Sequence, residues 1–339
     1  MASIMDLARR AQVSPTTVSR VLNNSSHPVS EAVRQRVLQA ARELDYRPNA
    51  LARAMITRRT QIVGVIVGDS SDPYFSTIVR GIETEARAHG YLVIICNTDR
   101  DPLVEQTHLR LLHDYQVDGI IFAGGSRHDC NSLSTVLDEL RQDDVALVAL
   151  NPHTVVAAEV RVDNVAAARE MTEHLLALGH RRIALIGGPE ELTTTADRLQ
   201  GYRQALAAAG VPFDPELVWP GAFTFESGVQ AARRYLATAD RPTALFAAND
   251  QTAIGAMAVL RQAGIRIPED VSVAGFDDIE QARYVFPTLT TISVPMHRLG
   301  VEGMRHLLDQ LAGKEPPELL CLPYCLQIRD STGPPLAPS

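Results

Sequence analysis

Lysine is almost missing from this chain. Lys314 is the one example, so nearly all positive charge is carried by arginine, which we read as genome composition rather than chemistry. Cysteine is scarce too. Cys96, Cys130, Cys321 and Cys325 show no paired spacing, and the C-L-P-Y-C stretch has no second cluster to complete a zinc site. The apolar run of a signal peptide is absent, as is any segment long and apolar enough to span a bilayer, so a cytoplasmic protein without a membrane partner is expected. Enzyme signatures are lacking as well: there is no G-x-S-x-G, H-E-x-x-H, P-loop or G-x-G-x-x-G, and the ten histidines are scattered. No catalytic residue, cofactor or metal is expected.

What is present is an uneven charge distribution. The 339 residues carry a net charge of −8, which by itself argues against a nucleic-acid partner. Residues 1–60, however, hold ten arginines against four acids, a balance of +6 that leaves −14 for the remainder. A basic head on an acidic body suggests that only the head meets a polyanion.

The head, residues 1–46, reads as three short helices. Ser3 and Asp6 form an S-x-x-D capping box before the first. Ser14 is an N-cap candidate for the second, and Pro15 suits its first turn, where a missing N–H costs nothing. Val18, Val21 and Leu22 then share one face that can pack on Leu7, Ala8 and Val13, leaving Thr16, Thr17 and Arg20 outward. A third helix after Ser30 supplies Val33, Val37, Leu38 and Leu44. Two helices joined by a tight turn, the second presenting short donors and an arginine, fit the major groove as a helix-turn-helix. Arg20 can reach both acceptors of a guanine. The competing reading is a small bundle whose polar face is merely solvated.

Here the sequence resembles a family. "SIMDLARRAQVSPTTVSRVLNN" followed by "RPNALARAMITRRT" is similar to the head of the lac-repressor and galactose-repressor family of bacterial transcription regulators. The resemblance implies that Ser14, Thr16, Thr17, Arg20 and Asn23 belong to the DNA-binding head. It also implies that residues 47–60 are a hinge helix and linker, with Asn49, Ala52 and Met55 entering the minor groove of a pseudo-palindromic operator. Met55 stands where the family usually has a wedging leucine, and methionine can serve as such a wedge. A helix of about two turns is expected to fold only when docked, because nucleation is unfavourable.

From residue 61 to 330 apolar strands such as "IVGVIV", "GIIFAG" and "TALFAA" alternate with helical stretches. Near-continuous apolar strands with intervening helices predict parallel sheets covered on both faces, in enough units for two doubly wound lobes. We place the N-lobe at 61–160 and 291–320, the C-lobe at 162–288 and 321–330, and a tail at 331–339. This is the body of periplasmic-binding-protein type that the resemblance implies.

In such sheets ligands bind beyond the carboxyl ends of strands, and the residues there are conspicuously polar. Any one of these residues could instead cap the following helix, and Asp250 and Asp278 are candidates for that role alone. Phe75 and Phe223 could equally belong to the core. The resemblance implies that Arg100, Arg198, Asn249 and Asp277 hydrogen-bond an effector, with Phe75 and Phe223 as apolar walls and Tyr74 and Asn151 as weaker matches. Arginine, amide and carboxylate groups around aromatic walls suit a compact molecule with many hydroxyls: a sugar, sugar acid or polyol. Leu192 stands where the purine repressor carries an arginine for its nucleobase, which argues against a purine.

The expected function is a homodimeric, sequence-specific transcription regulator, a repressor, controlled by a small sugar-like metabolite. The alternatives are a solute-binding protein of sugar transport, or a regulator responding to a nucleoside or purine. The closing "DSTGPPLAPS" has no heptad, so the tetramerising coiled coil of one family branch is not expected.

Overall fold

The computed structural model describes residues 2–22, 27–46, 59–125, 131–153, 156 and 158–336. Asn23, Asn49, Ala52, Met55 and Cys130 lie outside the described residues, as does most of the expected hinge helix. The chain divides into two compact units, Met1–Gln61 and Ile62–Ser339.

The first unit holds helices α1 (Ile4–Ala11), α2 (Pro15–Leu22) and α3 (Glu31–Glu43). The capping box forms: Asp6 N–H donates to the Ser3 hydroxyl at 3.2 Å and Ser3 N–H to the Asp6 carboxylate at 3.0 Å. Gln12, in the left-handed region at φ 54°, ends α1 and turns the chain. Leu7, Ala8, Ala11, Val18, Val21, Val37 and Ala40 make the buried core, and Val33, Leu38 and Leu44 pack on it half-buried.

The second unit alternates strand and helix. The first lobe contains β1 (Ile62–Val67), α4 (Pro73–Ala88), β2 (Leu92–Asn97), α5 (Pro102–Asp114), β3 (Gly119–Phe122), α6 (Asn131–Gln142), β4 (Ala146–Ala149) and β5 (Glu159–Arg161). The second contains α7 (Asn164–Ala177), β6 (Ile183–Ile186), α8 (Thr193–Ala208), β7 (Val218–Trp219), α9 (Phe225–Ala237), β8 (Ala244–Ala247), α10 (Asp250–Gln262) and β9 (Ser272–Ala274). The chain then returns through β10 (Thr291–Ser293), α11 (Met296–Leu311), β11 (Leu319–Cys321) and β12 (Cys325–Gln327).

The lobe sheets are parallel, ordered β11-β5-β4-β3-β1-β2 and β7-β6-β8-β9. Between them β10 and β12 form a two-stranded antiparallel ribbon that the sequence pattern did not announce. The chain passes between lobes three times: between Arg161 and Asn164, between Ala274 and Met296, and between Cys321 and Ser331. No helix among the described residues is long and apolar enough to cross a membrane.

Close helix contacts hold each lobe. On the first, α4 and α11 meet glycine to backbone: a Cβ on Gly300 would lie 2.0 Å from the Ile78 carbonyl, and one on Gly81 2.1 Å from the His297 carbonyl. Backbone on both sides cannot swing away. Gly300→Val is therefore expected to destabilise the body by about 3 kcal/mol, at the severe end of overpacking. Urea unfolding followed by far-ultraviolet circular dichroism measures it, and an unchanged midpoint would show that the helices separate freely.

Candidate effector cleft and DNA-reading face

The sheets direct their strand ends into one cleft. Past β1, the Asp72 carboxylate caps α4 by accepting from the Tyr74 N–H at 3.0 Å. That cap fixes Tyr74 and Phe75 on the first turn, their rings edge to face with centroids 5.2 Å apart. Past β4, Asn151 donates from Nδ2 to the Tyr74 phenol at 3.3 Å and to the Ala123 carbonyl at 3.1 Å. Burial, reinforced by the charge of Asp277, pushes the Tyr74 phenol up to about 12, so it stays protonated. Past β2, Asp99 and Arg100 turn through left-handed conformations at φ 50° and 60°.

From the other lobe comes Arg198 on α8, only 6% exposed. Its Nε donates to Asn164 Oδ1 at 3.0 Å and its Nη1 to the Ala248 carbonyl, while the Phe276 ring covers one guanidinium face at 3.7 Å. Its Nη2 faces Asp277 Oδ1 at 3.6 Å, an ion pair beyond good hydrogen-bond distance. Asp277 is 4% exposed, and among the described residues no hydrogen bond reaches its Oδ1. Burial drives this carboxyl well above the ordinary carboxylate value; Arg198 opposes the shift, and Asp250 and Asp72 add to it.

Asn249 caps α10 through its Oδ1, which accepts from the Thr252 N–H at 3.1 Å. Its Nδ2 donates to the Phe223 carbonyl at 3.0 Å. Phe223 at φ 59°, Asp277 at 116° and Asp278 at 60° are held in the left-handed half of backbone space. Such strain persists where the surroundings over-determine it, and it gathers at binding sites. Among the described residues, five of the ten non-glycine residues with positive φ flank this cleft, whereas Gln12, Asp45, Gln61, Gln116 and Asp144 adjoin helix ends or a strand start.

Tyr74, Phe75, Arg100, Asn151, Arg198, Phe223, Asn249 and Asp277 all line this cavity of about 990 Å³, a volume that includes its open mouth. Asp72, from the strand-end set, and Leu192 line it as well, as do Thr98, Glu105, His153 and Thr194, which the sequence did not single out. The capping role considered for Asp250 and Asp278 is not what they do. Asp250 is fully buried and accepts from the Thr291 hydroxyl at 2.6 Å and the Ile279 N–H at 2.9 Å. Asp278 is paired with Arg329 at 2.5 Å and Arg283 at 3.3 Å. The helix that Asp250 begins is already capped by Asn249, and the short helix Glu280–Arg283 after Asp278 has Ile279 at its cap position. Among the described residues no cluster of three His, Cys, Asp or Glu side chains could hold a metal ion.

In the head, Thr16 and Arg20 are exposed on α2 and Thr17 is half-buried. Ser14 spends its hydroxyl as the cap, accepting from the Thr17 N–H at 3.1 Å and lying 2.9 Å from the Thr17 hydroxyl. Both hydroxyls therefore already take part in shaping the helix start.

Comparison with known proteins bears on the whole chain. Residues 3–49 match the family described as bacterial regulatory proteins, lacI family, and residues 172–332 match the periplasmic binding protein-like domain. The repressor CytR of Escherichia coli K12 is 38% identical over 334 residues, covering 98% of this chain and 96% of its own. The chain belongs to the lacI family. Among solved structures, a transcriptional regulator CelR–cellobiose complex is 35% identical with a TM-score of 0.73, covering 98% of this chain and 100% of its own. The lac repressor dimer bound to operator and the anti-inducer ONPF is 29% identical with a TM-score of 0.86, covering 98% and 99%. This lacI-family chain is a DNA-binding transcriptional repressor regulated by a small-molecule effector, and not an enzyme.

Within that family role Arg20→Ala is expected to cost roughly 1–3 kcal/mol on the specific operator and almost nothing on random DNA, as for a residue reading a base edge. Titrating both DNAs at one salt concentration decides it. Equal losses would make Arg20 a phosphate contact.

Proposed function

We propose that the effector is a neutral, compact polyhydroxylated molecule, a sugar or polyol, held by the eight residues named above. The observation that carries this reading is the buried Arg198–Asp277 pair. The guanidinium keeps N–H donors beyond those given to Asn164 and Ala248, and Asp277 Oδ1 has an unused acceptor position beside it. One hydroxyl can accept from Arg198 while it or its neighbour donates to Asp277. A vicinal diol matches that donor–acceptor couple, whereas the carboxylate of a sugar acid offers acceptors alone and donates nothing to Asp277. Of the three chemistries expected from sequence, the neutral two fit best. The cellobiose held by the CelR relative supports the class.

Ligand binding between lobes joined by three chain crossings would change the lobe angle, and in a homodimer that angle sets the spacing of the two heads over a pseudo-palindromic operator. By linkage, operator binding must then change ligand affinity by the same factor. The operator-bound dimer of the lac repressor supports this assembly. The test is operator occupancy, read by fluorescence anisotropy of a labelled duplex, against a panel of neutral sugars, polyols and sugar acids. A shift by neutral members is expected. A response confined to acidic members would overturn the reading.

A further inference from the structure

Asp277 is held by neighbours that stand outside the cleft. It and Asp278 take positive φ in succession, 116° and 60°, although neither is glycine. A conformation of that kind has to be imposed by the surroundings. On one side they are easily named: the Asp277 N–H donates to the Ile292 carbonyl at 2.8 Å, and the Asp277 carbonyl accepts from the Val294 N–H at 3.2 Å. These bonds fasten the residue to β10 and its end. They leave the direction of the chain beyond it open, and that direction is fixed at Asp278.

The Asp278 carboxylate is buried between two arginines. Its Oδ2 accepts from Arg283 at 3.3 Å, and its Oδ1 from Arg329 Nη2 at 2.5 Å. The Arg283 side chain is 63% exposed and that of Arg329 16%, so water screens the first contact far more than the second. Arg329 is itself tied down. Its Nη1 donates to the Leu289 carbonyl at 2.8 Å and its N–H to the Thr290 hydroxyl at 2.9 Å. It follows β12 on the third passage between the lobes, whereas Leu289 and Thr290 precede β10 on the second. One arginine therefore joins two lobe crossings to the loop that carries Asp277. Neither Arg329 nor Asp278 lines the cavity.

We propose that Arg329 is a positioning residue of the effector cleft: by pinning Asp278 it holds the Asp277 carboxyl buried beside Arg198, and it couples the position of that carboxyl to the lobe crossings. This rests on the reading of Asp277 as an effector contact, while its test needs no effector. The operator-occupancy panel decides the effector reading independently.

The full chain and its Arg329→Gln, Arg329→Lys and Asp278→Gly forms are each compared with the same protein carrying Asp277→Asn. Urea unfolding read by Trp219, buried in the same lobe, gives the stability gap within each pair between about pH 4 and 9. Arg198, Asp72, Asp250 and the Tyr74 phenol face Asp277, and they are common to both members of a pair. Burial holds the Asp277 carboxyl above its ordinary value, so in the native pair the gap falls as pH rises through that raised value. Arg329→Gln should release the loop, let water reach the carboxyl and move the midpoint of the fall down by about one pH unit or more. Lysine keeps a charge but no fork, so Arg329→Lys should lie between the two. Asp278→Gly removes the pinned group at a φ that glycine accepts; it should match Arg329→Gln, and it carries the test if the arginine variants do not fold. An unmoved midpoint in the folded variants, with stability lowered equally in both members of each pair, would make Arg329 a structural tie and overturn the proposal. A native gap that does not vary with pH would overturn it too, since Asp277 would then already be in water.

Discussion

Arg198→Ala should unfold the second lobe at markedly lower urea than the native chain and should also lose ligand binding. Removing the guanidinium strands Asp277 in a site where it is 4% exposed, without its cation. It also leaves the Asn164 oxygen and the Ala248 carbonyl without the donors they now have, and uncovers the Phe276 face. Breaking a buried pair from one side costs about 3–5 kcal/mol, because an uncompensated charge must stay buried or take up a proton. The carboxyl already sits well above the ordinary value with Arg198 opposing the shift, so without Arg198 it rises further. The loss should therefore be smaller in acid, where Asp277 can protonate, and larger towards neutral pH. Adding Asp277→Asn should recover part of the loss near neutrality.

The chain carries a single tryptophan, Trp219, buried in β7 of the second lobe, so its fluorescence reports this lobe alone. A shift of under about 0.5 kcal/mol for Arg198→Ala would show that the pair contributes little, as exposed pairs do. Arg198→Lys is not a neutral control. Lysine offers a point charge and no fork, so it cannot serve Asn164, Ala248 and Asp277 together.

The strand-end logic made most of the cleft legible in sequence. Parallel strands covered on both faces are apolar along their length, so polar residues after them stand out, as Arg100, Asn151, Asn249 and Asp277 do, while the resemblance implied their contact with an effector. Arg198, which the sequence reading grouped with the polar residues after the strands, lies inside α8, and the family resemblance implied its effector contact. Two kinds of residue stayed hidden. The short strands β5, β7, β11 and β12 span two or three residues each, too few for any period to register. Ile66, Phe122 and Leu133 look like core because they are core, yet they line the cleft as well. His153 carried no signal at all.

Asp250 shows the same limit from the other side, since its position after a strand suggested a helix cap. It is instead a buried tie. Its N–H donates to the Phe276 carbonyl at 2.8 Å, and its carboxylate accepts from Ile279 in the loop after β9 and from Thr291 in β10. A Cβ on Gly275 would stand 2.2 Å from Asp250 Oδ1, so the loop must carry glycine to pass this carboxyl. The tie therefore holds the segment bearing Asp277 against a strand that runs between the lobes.

Burial is the main cause lifting Asp250 to about 7 from the ordinary 3.8; Thr291 and Ile279 oppose the shift and the charge of Asp278 adds to it. The folded state thus holds this proton more tightly than the unfolded chain. The associated stability is fully present below pH 3.8, is lost as pH rises towards 7, and changes no further above it. Asp250→Asn cannot titrate. The stability of the native chain relative to Asp250→Asn should therefore fall between pH 4.5 and 8 by on the order of 3 kcal/mol, about 2.5 pKa units at 1.36 kcal/mol each. Asp277 and Asp278 face the same region, with Arg198, Arg283 and Arg329 as their cations, so the comparison is best repeated in an Asp277→Asn background. Urea titrations of Trp219 fluorescence at matched ionic strength give the gap at each pH. A gap that stays flat across this range would mean that Asp250 is ionised throughout, and that its two donors hold the charge against burial.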